Sequence, residues 1–465
     1  MQKNSPTPSP ANSQKPISAA YSYYALVVFS LLNLLNYVDR FIFSALIPNI
    51  KADMHFTDAQ IGYMGSAFTI VYTIFSPLYG YLADRRGRTS LISSGVAIWS
   101  IATAAAGLAQ NYWQMLIARA AVGIGEASYA TISPGFLSDY FDRSKRGIAF
   151  GIFFTAVPLG QALGYILAGK LSPPDVLGWR YTFFVVGIPG LLMAVAAHLL
   201  REPERGKLDQ VEQEKVSEKV EATASTDNSL LSSYKILIKT YPYIIATLGY
   251  SALTFALGSL SYWGLELLVS NKGIEKEIAS VKLGLYVTFG GLLGTLMGGW
   301  IGDKLLKWFK GGYFLVCAFS ALLSSIPLTV VLSSSNPDTI FTAIFITVFL
   351  FFLGNGPVNA IVVNSVPPHV RATAVATTIL SIHVLGDAIS QPLVGIISTW
   401  ITKQGYVPAF ITPVTNLLGL QANQSLAIAM LITPIALAIS GLLFLLGLLD
   451  GIDFKKKTRF VVENN

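Results

Sequence analysis

The sequence predicts an all-α membrane protein, with twelve transmembrane helices in two pseudo-symmetric six-helix bundles. Three observations carry that expectation. Of 465 residues, 53% are hydrophobic and only 12% charged, where a soluble domain carries roughly 25% charged residues. Apolar stretches of about 20 residues, enough to cross a bilayer, recur twelve times. Near its middle the chain is split by "REPERGKLDQVEQEKVSEKVEATASTDNSLL", too polar for lipid and read as a linker.

The elements follow in order. A Pro/Ser/Asn-rich N-terminal tail covers 1–20, and the apolar run after it is too long for a cleavable signal. The first bundle, 21–201, holds spans at 21–50, 58–82, 89–109, 112–140, 144–171 and 178–200. Thr57 and Gln60 form a capping-box pattern at the start of the second. The linker occupies 202–231. The second bundle, 232–451, holds spans at 242–270, 277–304, 312–333, 338–366, 370–402 and 425–450, and a tail covers 452–465. Cys317, the single cysteine, lies in an apolar run and excludes a disulfide within the chain.

Charge placement orients the chain. An even number of spans puts both termini on one side, and 23 of the 32 Lys/Arg fall there against 7 on the opposite side. By the positive-inside rule the termini and linker are cytoplasmic. The net charge of +7 is therefore a topology signal and not a nucleic-acid footprint. "KKKTR" at 455–459 reads as a membrane-surface anchor.

The halves echo one another. "GYLADRRGR" (80–88) follows the second span and "GGWIGDKLLK" (298–307) the eighth, and Gly80 to Asp84 has the spacing of Gly299 to Asp303. "RSKRGIAFG" (143–151) follows the fourth span and "PHVRATAVA" (368–376) the tenth. Such repeats mark secondary transporters, with the binding site near mid-membrane between the halves. The loop residues Asp84, Arg85, Arg88 and Asp303 are candidate gating groups, Asp84 facing a helix N-terminus. Plain positive-inside topology is the simpler alternative. Glycines such as Gly160, Gly164, Gly290, Gly294 and Gly298 permit close helix contacts.

Ionisable residues inside spans are costly in lipid and mark function. "NYVDR" (36–40) puts Asp39 and Arg40 near the middle of the first span; the fourth carries Arg119 and Glu126 on one face. At 1.5 Å per residue all four fall in one central slab. Burial raises a carboxyl pKa and a neighbouring arginine lowers it, so Glu126 or Asp39 suits a proton-coupling role, with Arg40 and Arg119 as alternating partners. The arginines do not titrate and suit an anionic headgroup, phosphate above all. A permanent ion pair locking two helices is the bland alternative. In the eleventh span, "SIHVLGDAISQP" (381–392) adds His383, a natural switch near neutral pH or a helix–helix hydrogen bond, and Asp387, a cap or gate. Asn36 and Tyr37 are candidate cavity liners, as are Asn33, Asn355 and Asn359. Gln391 reads as packing and Glu266 as interfacial. His55, His198 and His369 lack metal-ligand spacing, and no metal or cofactor is expected. There is no G-x-x-x-x-G-K-[ST], so a gradient supplies the energy and no enzyme constellation appears.

"GYLADRRGR" and "RAAVGIGEA" resemble the loop and fourth-helix motifs of the major facilitator superfamily. With "NYVDR", "GIGEASYATISP" and "HVLGDAISQPLVG", the chain is similar to the Spinster family of lipid transporters across all twelve spans. The resemblance implies a major facilitator fold and proton-coupled transport of lysophospholipid- or sphingolipid-like amphiphiles by alternating access. It places functional positions on Asp39, Arg40, Arg119, Glu126 and His383, and it implies a monomer with lipid and protons as partners. The short linker and tails point to a bacterial member in the inner membrane. "DAISQP" departs from the family spacing, where a small residue and proline lie closer together. A multidrug or organic-anion exporter and an uncoupled lipid facilitator remain open.

Overall fold

The computed structural model describes residues 17–204, 230–367 and 370–451. The expected tails and most of the linker lie outside them. The regular structure of the described residues is helical throughout. The first half contributes Ala19–Met54, Asp58–Arg85, Arg88–Leu108, Tyr112–Ser138, Arg143–Leu171 and Gly178–His198. A short amphipathic helix, Leu230–Lys239, precedes the second half. There the seventh to ninth spans are Tyr241–Glu266, Lys276–Trp308 and Gly312–Ser333.

Local chemistry sets the ends. Ser18 caps the first span by accepting from the Tyr21 amide at 3.3 Å, and His55 closes it in the left-handed region at φ 53°. Thr57 and Gln60 form the reciprocal capping box.

Three spans are less continuous than their sequence suggests. The tenth is two helices, Pro337–Leu353 and Asn355–Asn364, joined at Gly354. Pro357 explains the break, because it has no N–H for the Leu353 carbonyl. The eleventh runs Arg371–Ile382 and Ala388–Gln404 with a π-helical turn, His383–Asp387, between them. The twelfth breaks between Ser425–Ala429 and Ile432–Gly451, where Pro434 removes another donor. Eleven of the twelve passages are by themselves long and apolar enough to cross a membrane. The exception is the fourth, which buries Arg119, Glu126 and Ser128 against the other spans instead of presenting a wholly apolar surface to lipid.

The packing is twofold. In the first half the second span packs on the fourth, the third on the fourth and sixth, and the first on the fifth. In the second half the equivalent pairs recur: eighth on tenth, ninth on tenth and twelfth, seventh on eleventh. The halves meet through the second and eleventh spans, the fifth and eighth, and the first and seventh. Glycine permits the closest approaches. A Cβ on Gly160 would lie 2.7 Å from the Leu34 carbonyl oxygen, and one on Gly298 would overlap Leu353.

A polar cavity between the halves

Both ends of the described chain lie on one face of the bundle, here the terminal face; the opposite one is the far face. At mid-depth the halves enclose a cavity of about 200 Å³. Span one supplies Tyr37 and Arg40, span two Phe68 and Tyr72, and span four Arg119. Across from them stand Tyr262, His383, Asp387 and Gln391.

Asp39 and Arg40 do not pair. Successive helical residues point about 100° apart, and the two side chains leave the first span in different directions. The Arg40 guanidinium donates to Glu126 Oε2 from Nη2 at 2.7 Å and from Nε at 3.2 Å. Its outer face is ringed by Tyr37, Phe68 and Tyr72, each centroid within 5.4 Å. Glu126 is fully buried, and its Oε1 has no partner. Asp39 turns to the third span, where its Oδ2 accepts a hydrogen bond from the Thr103 hydroxyl. Its Oδ1 is buried without a partner.

Arg119 is the unusual group. Only 3% exposed, it makes no ion pair or hydrogen bond among the described residues, and its Nε is buried unpartnered. Its guanidinium carbon sits 4.4 Å from the Phe43 centroid and 5.1 Å from that of Phe68. Cation–π attraction offsets part of its desolvation but brings no counter-charge. It borders the cavity with donors to spare.

The π turn of the eleventh span brings His383 Nδ1 to 3.0 Å from Asp387 Oδ2, and Tyr72 meets the imidazole edge-on at 6.0 Å. Asp387 fits because residue 258 is glycine: a Cβ there would lie 2.2 Å from its Oδ1. Gln391 lies over Gly65 in the same way.

Other expected liners sit elsewhere. Asn36 is buried off the cavity with an unpartnered Nδ2. Asn33 donates to the Phe153 carbonyl within its own half. Asn355 accepts from the Tyr250 hydroxyl, and Asn359 donates to the Asn355 carbonyl.

These features have relatives. Residues 29–391 match the family model of the Major Facilitator Superfamily. Protein spinster homolog 1 of Xenopus tropicalis is 31% identical over 421 residues, which cover 86% of this chain and 77% of that protein. The chain belongs to the Spinster family of the major facilitator superfamily. Protein spinster of Drosophila melanogaster is 30% identical over 390 residues, 82% of this chain but only 62% of that longer protein. In fold, this Spinster-family transporter resembles a bacterial homolog to the human lysosomal transporter Spinster solved in an inward-facing, unoccupied conformation. The TM-score is 0.80 at 21% identity, covering 94% of this chain and 99% of the other. A D-xylose–proton symporter shares the fold at TM-score 0.69 and 16% identity, covering 92% and 97%.

In this Spinster-family chain Arg88 of the superfamily loop ties the third span to the ends that follow the fourth and sixth. Arg88 is buried, with Nη1 2.6 Å from Asp139 Oδ2 and Nε 2.9 Å from Glu202 Oε1; a third bond goes from Nη2 to the Pro203 carbonyl at 3.2 Å. Arg85 is exposed and stacks on Tyr81 at 3.6 Å. The Asp84 side chain lies outside the described residues. Asp303 accepts from the Tyr313 hydroxyl at 2.7 Å, again within its half. Asp387, expected as a cap or gate, lines the central cavity.

Glu266 corrects the interfacial reading. It is fully buried, in an ion pair with Lys51 of the other half at 2.5 Å. Among the described residues, hydrogen bonds between halves run from mid-depth to the far face: Thr288 to Pro158, Tyr165 to Ser261, Ser66 to Ala388, Tyr262 to Ile61, Ala59 to Thr399 and Ser398 to Asp58. Sequence reasoning missed Phe68, Tyr72, Tyr262 and Thr103, because an aromatic or threonine in an apolar run looks the same whether it lines a cavity or fills a core.

Proposed function

We propose that this chain is a proton-coupled transporter of lysophospholipid- or sphingolipid-like amphiphiles, working by alternating access. Arg119 carries the reading. A buried guanidinium that makes no ion pair or hydrogen bond among the described residues is stabilised by an anion, and phosphate matches its planar fork. Aromatic side chains beside it suit the apolar chain of such a substrate. Each buried carboxyl, Asp39 and Glu126, keeps one oxygen without a partner and so has room for a proton. The His383–Asp387 pair supplies a further titratable group facing the same cavity.

Closure from mid-depth to the far face fits a state whose cavity is reached from the terminal face. The excess of Lys/Arg on that face supports cytoplasmic termini, hence an inward-facing state of a bacterial inner-membrane protein. The two bundles, 21–201 and 232–451, would rock about the cavity as the linker 202–231 spans them. The protein would act as a monomer amid membrane lipids, without cofactor or nucleic acid. The same guanidinium fits an organic anion, which keeps organic-anion efflux as the second reading.

The test is uptake of a labelled lysophospholipid into proteoliposomes, with and without an imposed pH gradient, in wild type, Glu126→Gln and Arg119→Ala. Gradient-stimulated uptake lost in both variants supports the proposal. Lysolipid flux indifferent to the gradient and to Glu126→Gln replaces it with an uncoupled facilitator. Absence of lysolipid flux, with flux of an organic anion, moves the second reading to first place.

A further inference from the structure

Two lysines cross between the halves at the far face, in opposite directions. Lys51, in the last turn of the first span, places Nζ 2.5 Å from Glu266 Oε1 across the interface and 2.6 Å from Asp58 Oδ1 in its own half. Lys276, the first residue of the eighth span, reaches back and donates to Asn49 Oδ1 and Ser172 Oγ of the first half. Asp58 also accepts from Ser398 of the second half at 2.5 Å. This cluster is separate from the cavity: Lys51 lies eleven residues beyond Arg40, about 16 Å along the helix.

The partners differ in a way that matters when the halves part. Glu266 Oε1 takes Lys51 and a hydrogen bond from Ser270 at 2.8 Å, while Oε2 is buried without a partner. Deprived of Lys51 while still buried, this carboxylate would be uncompensated, a costly arrangement. Separation at the far face would instead open it to water, and Lys51 would keep Asp58, which travels with it. Lys276 has only neutral oxygens as partners and no carboxylate within ion-pair distance among the described residues. On separation its ammonium regains hydration. One contact therefore exchanges partners and the other releases a half-buried ammonium to solvent. The closed face is held by charge without being trapped by it.

We infer that Lys51 and Lys276 form a two-point latch that keeps the far face shut, with Lys51 passing from a Glu266–Asp58 bridge to Asp58 alone as that face opens. The inference rests on the alternating-access part of the proposed function. Its readout is a distance, so failure of lipid uptake leaves it standing.

Spin labels on Ala52→Cys and Gln404→Cys, both exposed at the far face, in a Cys317→Ser background report the gap by pulsed electron resonance. Wild type is expected to give a dominant short distance. Lys51→Met and Lys276→Met should each raise the long-to-short ratio at least tenfold, and Lys51→Arg should leave it near wild type. The double variant Lys51→Met/Glu266→Gln should move it no further than the stronger single change, as for partners in one interaction. Unchanged distances in both lysine variants would overturn the latch. So would fully additive shifts, which belong to unrelated packing losses. Glu266→Gln leaves Lys51 paired with Asp58; as the mildest change, it decides the matter if a lysine variant does not fold, and an unchanged ratio there also overturns the latch.

Discussion

Arg40 and Glu126, 86 residues apart in sequence, close a charge-assisted contact at 2.7 Å in which two guanidinium nitrogens converge on one carboxylate oxygen. Asp39, next to Arg40 in the chain, is bound to Thr103 instead. The central charges thus divide into a paired set, a carboxyl hydrogen-bonded to a threonine and an arginine, Arg119, without an ion-pair partner among the described residues. Their division of labour can be tested separately.

Asp39→Asn keeps the shape and the Thr103 hydroxyl contact but takes no proton. The expected result is a protein of near wild-type stability in which uptake no longer responds to a pH gradient, while exchange of labelled for unlabelled substrate persists. Counterflow assays beside gradient-driven uptake check it. Loss of both, or of neither, contradicts it.

Glu126→Leu leaves Arg40 without its carboxylate, and breaking a buried pair from one side costs about 3–5 kcal/mol. The Arg40 side chain is 24% exposed, which places the expected loss at the lower end. Arg40→Met/Glu126→Leu removes both charges and should recover most of the thermal stability without restoring transport. Thermal unfolding of the purified variants reads the first effect, and uptake the second.

Arg119→Ala removes the proposed anion site. A hydrogen bond to a charged group contributes about 1.5–3 kcal/mol, so lysolipid affinity should fall roughly ten- to hundredfold. Arg119→Lys retains charge but not the fork and should fall between. Equal affinity in all three proteins would remove Arg119 from substrate recognition.

Gly258→Ala puts a methyl 2.2 Å from the present position of Asp387 Oδ1. The carboxylate must move, and its contact with His383 goes with it. Transport by Gly258→Ala should match that of Asp387→Ala in rate and in pH profile. A profile like wild type would show that the pair is not needed.

Arg88→Ala unties the terminal-face ends of the third span, the segment after the fourth and the segment after the sixth. With two carboxylate partners and little exposure, its loss should cost about 3–5 kcal/mol, read as a lower melting temperature. Arg88→Lys cannot span Asp139 and Glu202 together and should recover only part.

Hydrophobic runs and loop charges are local quantities, and the twelve passages follow from them to within a few residues. The duplicated loops likewise disclose the twofold packing, because equivalent sequences bury equivalent faces. The depth of Asp39, Arg40, Arg119 and Glu126 follows from helical rise alone. Their pairing does not. Which side chains meet depends on the rotation of each helix and its register against others, and a one-residue difference separates Arg40 on Glu126 from Asp39 on Thr103. The π turn at His383 and the room beside Gly258 arise where the seventh and eleventh spans press together, and no periodicity announces them. Lys51, Glu266 and Lys276 stand near span ends, where sequence reads charged residues as solvated. Only the approach of the two halves shelters these contacts, because that burial comes from the interface between bundles and not from either helix by itself.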